Sequence, residues 1–255
     1  MTQTVFIEAI NQAIAEEMRR DESVFIMGED IRLAVYGATA NLLGEFGEKR
    51  VLDTPLSENG FFGAAVGASL VGMRPVVETL TSFMWVGMDQ LISQAAKMRY
   101  MFGGQATLPV VYRATMFYGG GSAAHHSDRS YPMFMNMPGL KIIIPSNPAD
   151  MKGLLKSAIR DDDPCIVFED GTLFGMRGEV PDDSELPPGE LIVPVDRHKH
   201  LTTPLLRRTA HPADKVPMGT LQCCQCPRGE GKRPNILGMH LNERLGAMGQ
   251  QPAGP

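Results

Sequence analysis

The sequence lacks the charge that nucleic-acid binding needs and the apolar length that a membrane span needs. It carries 24 Lys and Arg against 29 Asp and Glu, a net charge of -5, with no concentrated basic patch. Gly, Pro or polar residues interrupt every apolar stretch well before it could cross a bilayer. The N-terminus shows no export signal, and its early acids Glu8, Glu16 and Glu17 are unlike an import peptide. We therefore expect a cytoplasmic protein with no nucleic-acid or membrane partner.

Three common motifs, two for binding nucleotides and one for catalysis, are also missing. The chain contains neither a phosphate-cradling P-loop nor a Gly-x-Gly-x-x-Gly fingerprint. Gly67-Ala-Ser-Leu-Val71 ends in valine where the nucleophile elbow of an α/β-hydrolase needs glycine. These absences argue against a nucleotide-binding protein of those types and against a serine hydrolase.

What is present is a regular alternation of helix and strand over residues 1–190. An amphipathic helix is predicted at the N-terminus, where Phe6, Ile10, Ile14 and Met18 form one stripe and Thr2 or Thr4 could cap. Such alternation predicts an α/β fold with a mainly parallel sheet flanked by helices, which binds ligands beyond the carboxyl ends of its strands. The strands are predicted at Ser23–Met27, Val51–Thr54, Arg74–Leu80, Leu108–Arg113, Lys141–Ile144 and Cys165–Glu169. Helices are predicted at Ala38–Phe46, Gly60–Val71, Val86–Tyr100 and Asn147–Arg160.

Residues 191–255 differ from the rest in composition. They are rich in Pro, Gly, Arg and His, and no apolar period persists in them, so we predict an irregular tail. Three of the four cysteines, Cys223, Cys224 and Cys226, lie here, and His211 or His240 could join them on a zinc ion. Without a properly spaced second Cys pair, the interpretation without a metal is favoured.

The segment Asp53–Glu78 carries the clearest chemical signal. A predicted strand ends at Asp53, and Glu58 stands just before a helix whose Gly63, Ala64 and Gly67 leave little side-chain bulk. Small residues let a flat ring or another backbone approach closely. Glu58 could relay a proton if an apolar pocket desolvated it, or it could simply cap the helix. The residues alone favour the cap.

This segment resembles the pyrimidine-binding motif in beta subunits of the decarboxylating component of 2-oxo acid dehydrogenase complexes. The resemblance covers about residues 3–190, and its motifs follow in the family's order. They are Met27-Gly-Glu-Asp30, Asp53-Thr-Pro-Leu-Ser-Glu58, Met88-Asp-Gln90, Ala95-Ala-Lys-Met-Arg-Tyr-Met-Phe-Gly-Gly104, His126-Ser127, Pro138-Gly-Leu-Lys141 and Pro145-Ser-Asn147. The resemblance implies a transketolase-like pyrimidine-binding domain over residues 1–190. It implies a thiamine-diphosphate-dependent oxidoreductase that acts on pyruvate, acetoin or branched-chain oxo acids.

The resemblance also implies roles for individual side chains. Glu58 would hydrogen-bond a ring nitrogen of the cofactor's aminopyrimidine, and Phe83 would lie against that ring. His126 would line the substrate side, and Glu29 would belong to the cofactor network near a subunit interface. Each has an ordinary alternative: a helix cap for Glu58, core packing for Phe83, a solvated loop for His126 and a surface charge for Glu29.

Three departures from the family pattern concern this site. Relatives usually have Gln at the positions of His125 and Asp128, and one residue fewer separates Glu78 from Phe83 here. The residues at 125 and 128 bear on the hydrogen bonds around His126 and on the choice of substrate, and the shorter spacing bears on the register of Phe83.

The resemblance implies ions and partners as well. Potassium would bind backbone oxygens at the end of the last predicted helix and nearby, and the alternative is a plain helix terminus. The positions are Val110, Ala158, Ile159, Asp161 and Asp163. No Gly-Asp-Gly stretch exists to hold the diphosphate's magnesium, so that site would lie on an alpha subunit of a two-alpha, two-beta heterotetramer. A lipoyl acyltransferase core would receive the acyl group.

The family's second folded domain has no counterpart in residues 191–255. A frameshift, a truncation or a sequencing error would explain this difference. The sequence therefore leaves two functions open: an active beta subunit, and a non-catalytic remnant that keeps the fold and binds an alpha subunit.

Overall fold

The computed structural model describes residues 2–117 and 123–181, and their main element is a six-stranded, fully parallel sheet. Its strand order is β3-β2-β4-β5-β7-β6, and a separate antiparallel pair joins β1 to β8. The strands are β1 (Thr2–Val5), β2 (Val24–Gly28), β3 (Val51–Asp53), β4 (Arg74–Leu80), β5 (Val111–Met116), β6 (Lys141–Ile143), β7 (Cys165–Asp170) and β8 (Arg177–Val180).

Helices cover both faces of this sheet. They are α1 (Phe6–Arg20), α2 (Leu42–Phe46), α3 (Glu58–Leu70), α4 (Ala96–Met101), α5 (Tyr131–Phe134) and α6 (Pro148–Arg160). Short 3-10 helices lie at Ile31–Leu33, Thr81–Trp85, Ala124–His126 and Gly171–Leu173, and a π-helical turn at Gln90–Ala95 leads into α4. Among the described residues, none of these helices is both long and apolar enough to cross a bilayer.

Two apolar cores sandwich the sheet. On one face α1 and α6 bury Ile10, Ile14 and Leu155 against Val76 and Val111. On the other face, Phe62 and Val66 of α3 pack with Val77, Tyr112 and Ile166 among other apolar residues. Alternate residues of β4 and β5 thus enter opposite cores, as the two-residue period of a strand requires. The predicted α/β class with a mainly parallel sheet is confirmed.

Several predicted boundaries move for local reasons. The strand predicted at Leu108–Arg113 begins instead at Val111, because Pro109 has no N–H to donate to a ladder. The helix predicted at Val86–Tyr100 starts as the π-helical turn at Gln90. Thr2 and Thr4 lie in β1 and do not cap α1 through their side chains. The cap of α6 is as predicted: the Asn147 side chain accepts from the backbone N–H of Asp150 at 2.9 Å.

The connections turn in opposite directions from the centre of the sheet. The chain passes from β2 to β3 on one side, and from β4 to β5 on the other, while β2 and β4 lie side by side. Such a switch point opens a crevice at the carboxyl ends of the two strands, where α/β proteins bind ligands. The strand order therefore predicts a cleft above Gly28 and Leu80, the last residues of β2 and β4.

Candidate active site

The four predicted site residues lie after the carboxyl ends of four neighbouring strands. Glu29 follows β2, Glu58 follows β3, Phe83 follows β4, and His126 follows β5. Parallel strands bring these ends to one edge of the sheet, although the residues span about half of the described chain. Glu29 and Glu58 interact electrostatically, and Phe83 and His126 are in ring contact, so the edge carries two pairs of candidate residues.

Glu58 is the first residue of α3 and is half-buried. Ser57 precedes it in the cap position, and its side chain makes no cap hydrogen bond. Thr54 ties the segment to β2 by donating its backbone N–H to the Gly28 carbonyl at 2.9 Å. Glu58 itself stands in the first turn of α3, where the helix dipole favours negative charge. The interpretation of Glu58 as a helix-end charge therefore stays open beside the catalytic one.

Glu29 lies close enough to Glu58 for their charges to interact. Partial burial is the main cause that raises the pKa of Glu29 from its usual 4.5 to about 7. The neighbouring carboxylates of Glu58 and Asp30 raise it further. The backbone N–H of Ser57 opposes this shift by donating to the Glu29 carboxylate. A carboxyl that titrates near neutrality beside a second carboxyl is typical of proton-transfer sites.

Two buried oxygens at this place lack a hydrogen-bond partner. They are Oε1 of Glu29 and Oγ1 of Thr54, and the segments that carry them are joined by the bond between Thr54 and Gly28. Buried polar atoms are rarely left unpaired in native proteins, and unpaired ones call for an explanation such as a ligand or water. The pair fits a ligand that offers N–H groups, as an aminopyrimidine ring does.

The raised pKa of Glu29 predicts a pH-dependent stability. Because the folded-state pKa lies above the unfolded value, the wild-type chain loses stability as pH rises from about 4.5 through about 7. Glu29→Gln removes this loss, so the variant should be more stable than wild type at pH 8 by about 1 kcal/mol after solvent screening. Urea unfolding of the full chain across this range measures the difference.

The matched control for that measurement is Glu22→Gln, which changes an exposed carboxyl away from the site. The change with pH for Glu29→Gln should exceed any change for Glu22→Gln. An equal response of the two variants would contradict the raised pKa of Glu29.

Phe83 and His126 meet edge to face on the other side of the cleft. Their ring centroids are 5.1 Å apart with an interplanar angle of 81°, and His125 lies 4.3 Å from His126. Phe83 and His126 are both half-buried, whereas His125 is exposed. Phe83 thus keeps part of its surface free for a planar ligand. His126 is placed where it could give or take a proton beside that ligand.

The connection that carries His126 is fastened to the 3-10 helix that carries Phe83. The hydroxyls of Thr81 and Ser130 lie 2.7 Å apart in a buried position. Nε1 of Trp85 donates to the Asp128 carboxylate at 3.3 Å. Trp85 was not among the predicted site residues, and the only sequence signal for Asp128 was its departure from the family's Gln.

A buried ion triad lies beneath the site and was also missed. Arg113 of β5, only 1% exposed, donates to Oε1 and Oε2 of Glu169 at 2.6 and 2.9 Å and to Oε2 of Glu78 at 2.6 Å. The three side chains cross-link β4, β5 and β7. Glu78 is also the register partner of Gly28, and a Cβ on Gly28 would lie 2.6 Å from the Glu78 carbonyl oxygen. Only glycine therefore fits at the end of β2.

The predicted potassium positions lie elsewhere, at the opposite edge of the sheet. Nη1 of Arg74 donates to the carbonyls of Ile159 and Asp161 at 3.1 and 3.0 Å. The Asp161 carboxylate binds Nζ of Lys141 at 2.7 Å, and Asp163 binds Arg99. The Val110 carbonyl accepts from Cys165, and the Ala158 carbonyl from Asp161. Two of the five predicted oxygens, the carbonyls of Ile159 and Asp161, thus already accept from a guanidinium, whose positive charge opposes an added potassium ion there.

Across residues 2–117 and 123–181, no cluster of three or more His, Cys, Asp or Glu is arranged to hold a metal ion. The predicted domain boundary at residue 190, the irregular tail and the cysteine cluster with His211 and His240 lie outside the described residues.

The face of α3 that points away from the core consists of small residues and is exposed to solvent. Ala64 and Gly67 are exposed, and a Cβ on Gly63 would lie 3.0 Å from Oε1 of Gln90. Leu56 before the helix and Val71 after it are 84% and 80% exposed. Apolar exposure of this kind next to a cleft is typical of a surface that contacts another chain.

The carboxyl edge of this parallel sheet thus carries two interacting carboxyls, an aromatic ring and a histidine. This arrangement is that of a ligand-binding α/β domain. Residues 3–175 match the family model described as transketolase, pyrimidine binding domain, and the chain belongs to this family.

Curated relatives from one organism carry two different names. In Bacillus subtilis, the beta subunit of acetoin:2,6-dichlorophenolindophenol oxidoreductase is 46% identical over 191 residues, which is 69% of this chain and 56% of the relative. The 2-oxoisovalerate dehydrogenase subunit beta of the same organism is 47% identical over 192 residues, 72% of this chain and 58% of the relative. The chain thus spans a little over half the length of these relatives.

A solved structure agrees on the fold. The structure titled split gene transketolase, inactive beta4 tetramer, aligns with a TM-score of 0.57 at 20% identity, covering 71% of this chain and 56% of that chain. At this identity the likeness concerns the fold alone.

Proposed function

We propose that this chain supplies the pyrimidine-binding half of a thiamine-diphosphate site, as the beta-type subunit of a 2-oxo acid or acetoin dehydrogenase. The reaction would be oxidative decarboxylation or cleavage with acyl transfer to lipoamide, in the cytoplasm. The observation that carries the proposal is the pair of interacting carboxyls, Glu58 and Glu29, next to buried oxygens without partners. The two carboxyls can exchange protons with a heterocycle bound in the cleft.

When bound, thiamine diphosphate supplies a positively charged ring that accepts the electron pair left behind as carbon dioxide departs. Glu58 would hold a proton at a ring nitrogen of the aminopyrimidine. Glu29, with its pKa near 7, would exchange protons with that carboxyl at neutral pH. Phe83 would pack against the ring, and His126 would move a proton on the substrate side.

The rest of the cofactor would be held by another chain. Magnesium and the diphosphate need a site that this sequence lacks, so we assign them to an alpha subunit in a two-alpha, two-beta heterotetramer. The exposed face of α3 supports such a contact, because small residues allow close approach of another backbone. A lipoyl acyltransferase core would accept the acyl group. Potassium is not part of the proposal, since Arg74 already occupies two of its predicted oxygens.

Relatives named for acetoin, 2-oxoisovalerate and pyruvate are similar at 46–47% identity, so identity does not choose the substrate. A second candidate function is a non-catalytic chain that keeps the fold and binds the alpha subunit. The change to a Pro-, Gly-, Arg- and His-rich composition in residues 191–255 favours it.

Co-expression of the full chain with an alpha-type subunit separates the two candidates. We expect co-elution on gel filtration and thiamine-diphosphate-dependent reduction of an artificial electron acceptor with one of pyruvate, acetoin or a branched-chain oxo acid. Co-elution without reduction for all three substrates supports the non-catalytic candidate. Failure to co-elute, with the chain itself folded, contradicts both.

A further inference from the structure

Asp128 bonds to residues on both sides of Phe83. Its carboxylate accepts the indole N–H of Trp85 at 3.3 Å, and its backbone N–H donates to Oγ of Ser82 at 3.4 Å. We call these three residues, Ser82, Trp85 and Asp128, the Asp128 clasp. Ser82 precedes Phe83 in the same 3-10 helix and Trp85 ends that helix, so the clasp spans the turn that presents Phe83.

Both ends of the clasp are anchored in the core. The Trp85 ring stacks on Phe134 with centroids 6.0 Å apart and an interplanar angle of 20°. Phe134 is fully buried and belongs to the apolar core of the α3 face. Beyond Asp128, the Ser130 hydroxyl donates to the Thr81 carbonyl at 3.3 Å as well as bonding the Thr81 hydroxyl. The clasp therefore links the connection that carries His126 to the apolar core on the α3 face.

The same connection fixes the turn that bears His126. The backbone N–H of His126 donates to the Ala123 carbonyl at 3.2 Å, and the Ser127 hydroxyl donates to the same oxygen at 2.8 Å. Ala123 itself has a φ of 73°, a backbone conformation that non-glycine residues adopt only when their surroundings hold them there. Since Asp128 is the first residue after this turn to bond the Phe83 helix, it sets the distance between the His126 and Phe83 rings.

We propose that Asp128 is a positioning residue, which through Trp85 and Ser82 holds His126 edge-on to Phe83 in the productive arrangement. The inference rests on the proposed function, because it assigns His126 its place relative to the reacting substrate. At this position, where relatives usually have Gln, the shorter carboxylate of this chain reaches the indole N–H of Trp85 at 3.3 Å. Trp85 and Asp128 form a matched pair in this chain.

The clasp is measurable without catalysis, because Trp85 is the sole tryptophan of the chain. A ¹⁵N spectrum of the full chain therefore contains one indole N–H signal. Asp128→Ala should shift that signal and speed its hydrogen exchange about fivefold or more, the factor that corresponds to one lost hydrogen bond. Asp128→Asn keeps an acceptor oxygen and should stay close to wild type. Asp89→Asn, an exposed carboxylate close to Trp85 in sequence, is the control and should change neither quantity.

Kinetics with the alpha-type subunit test the positioning role. Asp128→Ala should lower kcat by about 10- to 100-fold, the range for a misplaced catalytic group, with the KM for thiamine diphosphate unchanged. Asp128→Asn should restore most of the activity. Trp85→Phe keeps the stacked ring and removes the donor, so it should reproduce the loss and carries the test if Asp128→Ala does not fold.

The outcomes separate this inference from the proposed function. If Asp128→Ala leaves both the indole signal and kcat at wild-type values, the clasp does not position His126. If the indole signal shifts while kcat holds, the bond exists and the positioning role is wrong. If the wild-type complex shows no thiamine-dependent turnover, the proposed function fails, and the indole measurement still decides whether the clasp forms.

Discussion

Glu58→Gln is expected to abolish cofactor-dependent turnover of the complex, with a loss of at least about 100-fold, the lower range for removal of a positioned acid or base. The change keeps the size and hydrogen-bonding ability of the side chain and removes its ability to exchange a proton. The measurement is reduction of an artificial electron acceptor by the alpha–beta complex, with thiamine diphosphate binding followed separately by calorimetry.

The matched control is Glu8→Gln. Glu8 is an exposed glutamate in the first turn of α1, just as Glu58 lies in the first turn of α3. Both variants lose the favourable interaction of a negative charge with a helix N-terminus, about 0.3–1 kcal/mol of stability. Only Glu58→Gln should also lose turnover. If Glu58→Gln matches Glu8→Gln in stability and keeps normal turnover, Glu58 is a helix-terminal charge with no chemical role.

Arg113→Met is expected to destabilise the chain by about 3–5 kcal/mol, the usual cost of breaking a buried ion pair by removing one partner. Without Arg113, two buried carboxylates face each other beneath the site with no positive charge between them. Arg19→Met is the control, because Arg19 pairs with Glu45 at the surface and should cost no more than about 1 kcal/mol. Chemical denaturation of the full chain measures both.

The loss at Arg113 should depend on pH in a defined direction. Burial raises the pKa of Glu169 even in the wild type, where Arg113 opposes the shift. Removal of Arg113 raises that pKa further above its unfolded value, so the folded variant binds more protons than the unfolded one and gains stability as pH falls. Arg113→Met should therefore recover part of its loss at acid pH. A triple replacement of Arg113, Glu78 and Glu169 by apolar residues should be much less harmful than Arg113→Met alone.

Much of the fold could be predicted from local pattern. The apolar period of α1 and the short buried runs of β2, β4 and β7 identify those elements directly. A parallel sheet then brings the residues after its strands to one edge, which is why Glu29, Glu58, Phe83 and His126 gather although they were predicted separately. Their roles remain predictions until the variants above are made.

The contacts that connect distant segments could not be predicted in the same way. Arg113 meets Glu78 and Glu169 only because β5 lies between β4 and β7, and each of the three reads as an ordinary charged residue within its own segment. The bond between Trp85 and Asp128 likewise joins two connections whose geometry depends on the assembled sheet. β1 pairs with β8 although the two strands lie at opposite ends of the described chain, so no local pattern indicates the pairing. The start of β5 at Val111 follows from Pro109, which has no N–H to donate.

The crevice at the switch point has a consequence for how such a domain can change over time. Each functional group follows its own strand, and the Arg113 triad cross-links three strands of the sheet, β4, β5 and β7. Lengthening or shortening one connection therefore moves one pair of groups, either Phe83 with His126 or Glu29 with Glu58, and leaves the other pair where it was. The shorter spacing before Phe83 and the residues at 125 and 128 are departures of this kind from the family pattern, and they leave the carboxyl pair of Glu29 and Glu58 in place.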